Sequence, residues 1–279
     1  MKSTTIIVFL LFTTLTSCQS KNILTQNNYK LIVDDDGILV EKFDSTVDDE
    51  NRYNHNNVIY KVGNCFKYKF EHITVDNRKK FFKIIADNSG WEFVNEEDKN
   101  QTPIKSLTME VANGNPLANY IPDNNQTVLI YKLTEDSYST TGAIENEGNI
   151  WIHPPRDKYF EILELNPFPY IKAPYEIGNK WSWNLIIGDM WADGRWKLWQ
   201  GQIENKYEYE ITDKQTLKTD IGKIECFVIE SNAISRIGET KLTAYFNVDY
   251  GFVKLDYINI DGSKTNLELA EHVEKKNFK

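Results

Sequence analysis

The chain is poor in the residues from which catalytic centres are most often assembled. Its 279 residues include four histidines, His55, His72, His153 and His272, and three cysteines. The histidines are spaced too widely to form a metal pair on one helix or strand, and no metal site is expected. There is no HExxH, no GxSxG, no P-loop and no glycine-rich dinucleotide turn, so the chain lacks the usual signatures of zinc hydrolases, α/β-hydrolases and nucleotide binders, and no cofactor is implied. Positive charge is also scarce. Lys and Arg number 32 against 41 Asp and Glu, for a net charge of −9, which argues against nucleic acid and anionic lipid headgroups as partners. The acidic runs Asp34-Asp35-Asp36 and Asp48-Asp49-Glu50 do not follow calcium-loop spacing and read as solvated turns. The longest apolar run, Ile6 to Phe12, is too short to span a bilayer.

Behind Lys2 and ahead of small polar residues, that run has the form of a secretory signal. Leu15-Thr16-Ser17-Cys18 resembles the lipobox of bacterial lipoproteins. The resemblance implies a signal peptide over 1–17, Cys18 as the acylated first residue of the mature chain with palmitate among its acyl chains, and a tether over 18–28. Gln19 stands where an Asp would favour the inner membrane, so the resemblance implies the outer membrane, with the periplasmic and surface faces both open. Two or three acyl chains anchor stably where one would not. Cys65 and Cys226 then remain in a compartment that permits disulfides. Cys65 alternates with Lys67 and Lys69, whereas Cys226 alternates with Ile224 and Val228, so a bridge between them and two separate thiols both stay open.

What the sequence has in abundance is period-two alternation broken by turn residues. KLIVDDDGILVEKF predicts a hairpin around Asp36-Gly37. VIYKVGNCFKYKFEHITV predicts one long strand or two, and WEFV, SLTMEVA and TVLIYKL predict further strands. DNRKKFFKIIADN suits either a short helix capped by Asp76 or a strand. From Trp199 onward the odd positions Trp199, Ile203, Tyr207, Tyr209 and Ile211 are apolar or aromatic, and KIECFVIES, TKLTAYFNV, FVKLDYINI and TNLELAEHV follow as a meander. The stretch 148–175 interrupts the rhythm with five prolines, and only RDKYFEILEL within it suits a helix. It is expected to cross or cover the edges of the sheet. The fold class is therefore mainly β: an antiparallel meander forming a barrel, a half-barrel or stacked sheets, with one or two short helices. Residues 29–273 are expected to form a single β-rich domain, with 29–147 and 148–273 as a conceivable subdivision and 274–279 as a tail.

Five of seven tryptophans fall between Trp181 and Trp199. Trp181, Trp183 and Leu185 share one face of a strand and, with Trp199, are the candidate wall of a ligand cavity. Asp193-Gly194 predicts a two-residue hairpin in which Trp191 opposes Trp196, a tip where indoles would be exposed for a protein partner. His153, between Trp151 and Arg156 and ahead of Pro154-Pro155, is the one histidine in a setting that suggests chemistry, although a structural role is the default for it.

KIECFVIES, the aromatic strand with Tyr245 and Phe246, the turn Tyr250-Gly251-Phe252, the final hairpin at Asp261-Gly262, and IWIHPPRDKYFEILELNPFPY together resemble a Bacteroidota family of uncharacterised β-rich outer-membrane lipoproteins. The resemblance covers roughly the C-terminal half and carries no assigned activity. There is a more distant architectural likeness to periplasmic half-barrels that carry lipids or lipoproteins. The first expectation for function is a non-enzymatic, lipid-anchored binding module for an apolar or amphipathic ligand. A structural or protein-interaction lipoprotein comes second, and a hydrolase using His153 with a carboxylate third.

Overall fold

The computed structural model describes residues 29–43, 49–95, 102–121 and 124–274. The expected lipidation site Cys18, the tether and most of the C-terminal tail lie outside the described residues. In chain order the strands are β1 (Tyr29–Val33), β2 (Leu39–Phe43), β3 (Cys65–Ile73), β4 (Lys79–Ile84), β5 (Trp91–Val94), β6 (Ser106–Val111), β7 (Thr127–Lys132), β8 (Tyr138–Glu145), β9 (Asn149–Ile152), β10 (Tyr170–Lys172), β11 (Lys180–Ile187), β12 (Ile203–Thr219), β13 (Gly222–Ser235), β14 (Gly238–Asn247), β15 (Gly251–Ile258) and β16 (Lys264–Val273).

Twelve of them pair antiparallel in the order β10-β9-β8-β7-β6-β3-β16-β15-β14-β13-β12-β11 and curl into a nearly closed barrel. The two ends of this path, β10 and β11, are consecutive in the chain. The turn between them holds the ends together: Asn179 Nδ2 donates to the carbonyls of Lys172 and Pro174, both at 2.9 Å, and the rings of Tyr170 and Trp181 stand 5.7 Å apart. Near-closure removes most of the exposed edge that an open sheet would present. β1 and β2 form a separate hairpin, and β4 pairs with β3 and β5 off the main path.

The alternation read from the sequence is the physical basis of the wall. On β12, Ile203, Asn205, Tyr207, Tyr209 and Ile211 are buried while Glu204, Lys206 and Glu208 are exposed. The strand begins at Ile203; Trp199 precedes it. The ambiguous run after Asp76 is strand β4. Asp76 does not cap a helix but sits in a turn with Asn77 at φ +60°, closed by Thr74 N donating to the Arg78 carbonyl. β8 was not expected: Ser, Thr and Gly dominate its sequence, YSTTGAIE, and only its neighbours β7 and β9 make it a strand.

The proline-rich stretch overturns its expected role as an edge cover. It supplies β9 and β10, and between them a 3-10 helix, Lys158–Leu165, in which Tyr159, Phe160, Ile162, Leu163 and Leu165 are all at most 2% exposed. Irregular backbone can be buried only if its polar groups find partners. Inward side chains of the barrel provide them: Asn205 and Thr240 donate to the Leu165 carbonyl, Tyr209 to that of Phe168 and Tyr131 to that of His153. Buried Pro154, Pro155, Pro167 and Pro169 have no N–H to satisfy, which lowers the demand further. Phe70, Phe82, Trp91, Tyr159 and Phe160 then close the core on the β3–β5 side, with ring centroids 5.0 to 5.8 Å apart across most of their contacts.

Candidate functional site

Trp181 and Trp183 point inward from β11 and stack on the residues directly opposite them on β12. Trp181 lies on Tyr209 at 5.4 Å and 9°, and Trp183 on Tyr207 at 4.6 Å and 19°. Such cross-strand aromatic pairs add ~0.5–1.5 kcal/mol each beyond burial. Trp183 Nε1 donates to Tyr209 Oη at 3.0 Å, and that hydroxyl donates onward to the Phe168 carbonyl. The ladder therefore fixes the buried crossing as well as the wall.

The hairpin tip differs from its expected register. Asp193 pairs with Lys197, which leaves a three-residue loop of Gly194, Arg195 and Trp196, so Trp191 and Trp196 are not cross-strand partners. The reason is local capture by the Asp193 carboxylate, which accepts from Arg195 N at 2.7 Å and from Arg195 Nε at 2.9 Å. These bonds to Arg195 hold the carboxyl below the usual range. Arg195 in turn lies 4.0 Å above the Trp91 ring and 5.3 Å from Trp196. Trp196 is consequently 8% exposed, stacked on Trp91 at 8°, and its Nε1 donates to the Trp191 carbonyl. Trp196 is thus not an exposed tip; only Trp191 is half-buried.

Trp191 opens instead onto a cleft of about 290 Å³. Trp183, Leu185, Ile186 and Ile187 of β11, with Trp151 and Phe168, are its apolar lining. The lining also has polar residues: Asp34 and Asp36 from the β1–β2 loop, Gln126 ahead of β7, and His153, Arg156 and Glu164 from the crossing. Each is positioned by its own contacts. Asp34 Oδ1 accepts from the backbone N of Asp36 and Ile38 at 3.1 and 2.8 Å, which shapes the loop. Gly37, at φ +93°, brings that loop against Trp183 in a conformation that other residues adopt poorly. Gln126 lies over Gly142 of β8, where an added Cβ would come within 1.7 Å of its Oε1. Arg156 donates to the Thr140 carbonyl at 3.0 Å.

Two of the polar lining residues, His153 and Glu164, are paired with each other. His153 Nδ1 lies 2.7 Å from the Pro154 carbonyl, and since a carbonyl only accepts, Nδ1 carries a hydrogen. Nε2 then faces Glu164 Oε1 at 3.5 Å. Glu164 Oε1 is buried and makes no hydrogen bond, and Trp151 Nε1 is in the same condition. The contrast with Glu145 is instructive. That equally buried carboxylate accepts three backbone N–H groups, from Val58, Ile59 and Tyr60. An unsatisfied buried polar group costs about 1–3 kcal/mol, and the Glu164 Oε1 acceptor and the Trp151 Nε1 donor are both sealed from solvent without a hydrogen bond.

Of the candidate wall residues, the cleft unites Trp183 and Leu185 and adds Trp191 from the tip pair. Trp181 and Trp199 are buried outside it, and their Nε1 atoms also lack partners. The Asp34-Asp36 run, read as a solvated turn, contributes two carboxylates to the lining. Glu164 and Gln126 had no signal in the sequence beyond the position of Glu164 in an otherwise apolar helical run. The other histidines are structural. His72 hydrogen-bonds Tyr159 at 2.7 Å and stacks on Phe93, and burial lowers its pKa to about 4; His272 stacks on Phe66, and His55 pairs with Asp49. Cys226 is a buried free thiol, so the bridge to Cys65 does not form. Their strands, β3 and β13, are four apart in the sheet, ~19 Å at the usual strand spacing and far beyond disulfide reach.

A larger concavity, about 460 Å³, lies over β11–β13 among Lys180, Trp181, Ser182, Glu208, Tyr209, Glu210, Glu230 and Asn232, so the candidate wall residue Trp181 lines this one. Its rim is exposed polar side chains, with Lys180 already paired to Glu210 at 2.9 Å. Its lining carboxylates, Glu208, Glu210 and Glu230, are exposed or half-buried.

No protein-family model and no curated protein matches the chain. Solved structures similar to it include a predicted lipoprotein from Parabacteroides distasonis ATCC 8503, with a TM-score of 0.41 and 9% identity over 77% of this chain and 97% of that one. An exported protein with a YmcC-like fold from Bacteroides fragilis NCTC 9343 has a TM-score of 0.40 and 10% identity over 77% and 97%. The hypothetical lipoprotein YmcC from Escherichia coli K12 has a TM-score of 0.34 and 6% identity over 76% and 85%. These similar structures are of lipoproteins and exported proteins.

Proposed function

We propose that this protein is a non-enzymatic binding module of the bacterial cell envelope, anchored to the outer membrane through lipid on Cys18, whose cleft takes a small amphipathic ligand. The anchor reading is supported by the signal run Ile6 to Phe12 and the Leu15-Thr16-Ser17-Cys18 box. The binding reading is carried by one observation: Trp183, Leu185 and Trp191 share one cleft with the polar side chains of Asp34, Asp36, Gln126, His153, Arg156 and Glu164. The volume lies at the lower end of small-molecule sites, which suits one ring and not an acyl chain. The barrel interior is occupied by the crossing and its aromatic contacts, which argues for a ligand in the cleft and against lipid cradled on the concave face of the sheet.

The test is native mass spectrometry on the soluble Cys18→Ser mature domain, purified gently from cells. A discrete bound mass that is lost on denaturation and absent from a Trp191→Ala preparation is expected. A bound mass that persists in that variant would place the ligand elsewhere. For the anchor, metabolic labelling with an alkynyl palmitate should mark the wild-type chain and not Cys18→Ser; equal labelling of both would refute it.

A further inference from the structure

We propose that the edge of β12 from Lys214 to Lys218 is a docking site for an extended segment of a partner protein, one with acidic side chains at alternate positions, which adds to the sheet as a further strand. None of these residues lines the cleft, and the edge does not depend on what the cleft binds.

β12 and β13 run on past their neighbours. β11 begins at Lys180, opposite Glu210, and the chain just ahead of it holds Ile211 through the Asn179 carbonyl and Gly178 N, at 3.0 and 2.7 Å. On the other side, β14 pairs with β13 only from Phe227 onward. Asp213 to Thr219 and Gly222 to Cys226 therefore form a two-stranded arm joined by the turn Asp220-Ile221. The arm is held in place. Ile224 and Cys226 are buried, Leu217 and Ile221 pack against buried apolar residues, and Asp220 is paired with Lys69 of β3. An edge ordered in advance loses little entropy when a strand is added to it.

Successive residues of a strand direct their backbone groups to alternate sides. Ile211 faces β11, the register shift between Ile211 and Asp213 moves the phase by one residue, and Thr219 opposite Gly222 closes the two-residue turn on the β13 side. The backbone groups of Lys214, Thr216 and Lys218 consequently point away from β13. The Lys214 N–H is already taken, since it donates to Asp213 Oδ1 at 2.7 Å. The N–H groups of Thr216 and Lys218, and the carbonyls of all three residues, have no protein partner among the described residues, and all three residues are exposed. The β13 edge of the arm differs, because Asn247 Nδ2 donates to the Glu225 carbonyl at 2.8 Å and caps it.

Charge names the partner. Lys214, Lys218, Lys223 and Glu225 project from one face of the arm, and Lys214 is matched by Glu225 at 2.7 Å. Lys218 and Lys223 stand directly opposite each other, and neither has an ion-pair partner among the described residues. Like charges so placed destabilise a sheet, and a carboxylate on an added strand beside Lys218 would relieve the pair. A chain of net charge −9 thus carries its unmatched positive charge along an open edge. Lysines on an edge also discourage pairing with a second copy, which would set the lysines of two edges face to face or diagonally adjacent. An acidic strand meets no such repulsion. Its period of two sets every second side chain on the lysine face, while main-chain hydrogen bonds hold it to Thr216 and Lys218.

The experiment titrates the mature Cys18→Ser chain, by fluorescence anisotropy, into labelled octapeptides with Asp or Glu at every second position and Thr, Val or Tyr between them. Counterparts with Lys in place of each acid are titrated in parallel. Acidic peptides are expected to bind, more weakly as salt rises, and to slow amide exchange at Thr216 and Lys218. Thr216→Pro removes an N–H that β13 does not use, and Lys218→Glu removes the like-charge pair with Lys223, so both variants keep the arm, as circular dichroism checks. Each should weaken binding about tenfold, the effect of losing one or two hydrogen bonds or a charge pair. Binding by no acidic peptide, equal binding by the Lys counterparts, or binding unchanged in both variants would overturn the proposal. Wild-type protein that dimerises in sedimentation velocity, with the dimer lost in Thr216→Pro, would give the edge to a second copy and overturn it as well.

Discussion

Glu41→Gln should stabilise the protein above neutral pH and do little in acid. Glu41 lies on β2 at 5% exposure, its Oε1 has no hydrogen-bond partner, and Glu147 adds like charge nearby. Burial pushes its carboxyl from 4.5 up to about 7. In the unfolded chain the group titrates near its ordinary value, so between those two pH values the folded state holds the extra proton. Stability therefore falls as pH rises through this window, and above pH 7 the full penalty of an ionised buried carboxylate remains. At 1.36 kcal/mol per pH unit the shift corresponds to ~3 kcal/mol, or ~2 after allowance for partial solvent screening around Tyr29 and Glu147. Glutamine keeps the shape and cannot ionise. For a domain of about 250 residues, the expected gain in Tm is ~4–8 °C at pH 8 and near zero at pH 4. Thermal unfolding of both proteins, followed by circular dichroism at pH 4, 5, 6, 7 and 8, measures the difference directly. A gap between the two curves that does not change with pH, or a variant less stable at pH 8, would refute the reasoning.

Arg195→Ala removes the guanidinium from Trp91 and Trp196 and should cost ~1 kcal/mol, with a red shift of tryptophan emission as Trp196 gains solvent; unchanged emission would contradict the stacked loop. Gly37→Ala forces a side chain into a loop at φ +93° and should destabilise the protein by ~1–2 kcal/mol and loosen the loop over Trp183, seen as faster amide exchange across 34–38. Cys226, buried and with its thiol pushed up to about 12, should resist a thiol reagent at pH 8 in the native Cys18→Ser protein. The same protein in unreduced denaturant should titrate two thiols, and a titre of zero would establish a bridge. His72, lowered to about 4 by burial, should stay neutral in the folded state at pH 5.5, so stability contributed by its neutral form is lost as pH falls from 6.5 toward 4. A His72 ring-proton shift titrating near 6.5 would be inconsistent with that burial.

Much of the barrel wall was readable without coordinates. The period of a strand is two whatever its neighbours are, so a run such as Ile203 to Ile211 declares its inward face by itself. Turns at Asp36-Gly37 and Asp261-Gly262 were equally local, since Gly37 and Gly262 adopt positive φ that few other residues tolerate. β8 was not legible, because its small polar residues acquire strand character only from pairing with β7 and β9. The tip register at Asp193 was misread because the dipeptide rule ignores the Arg195 side chain, which binds Asp193 and lies on Trp91 more than a hundred residues away.

The sequence by itself determined the net negative charge and the alternating strands, since the first is a sum over residues and the second a property of neighbours along the chain. Tertiary structure decided where the proline-rich stretch goes and what the tryptophans do. Glu164 looked like one more charge in a helical run until the barrel closed around it, bringing its Oε1 to His153 and burying it without a hydrogen bond. Asp34 became part of a cleft only because Gly37 brings the β1–β2 loop against Trp183. Sites of this kind are made where distant segments meet in low-dielectric surroundings, and neither the meeting nor the desolvation leaves a periodic trace in the chain.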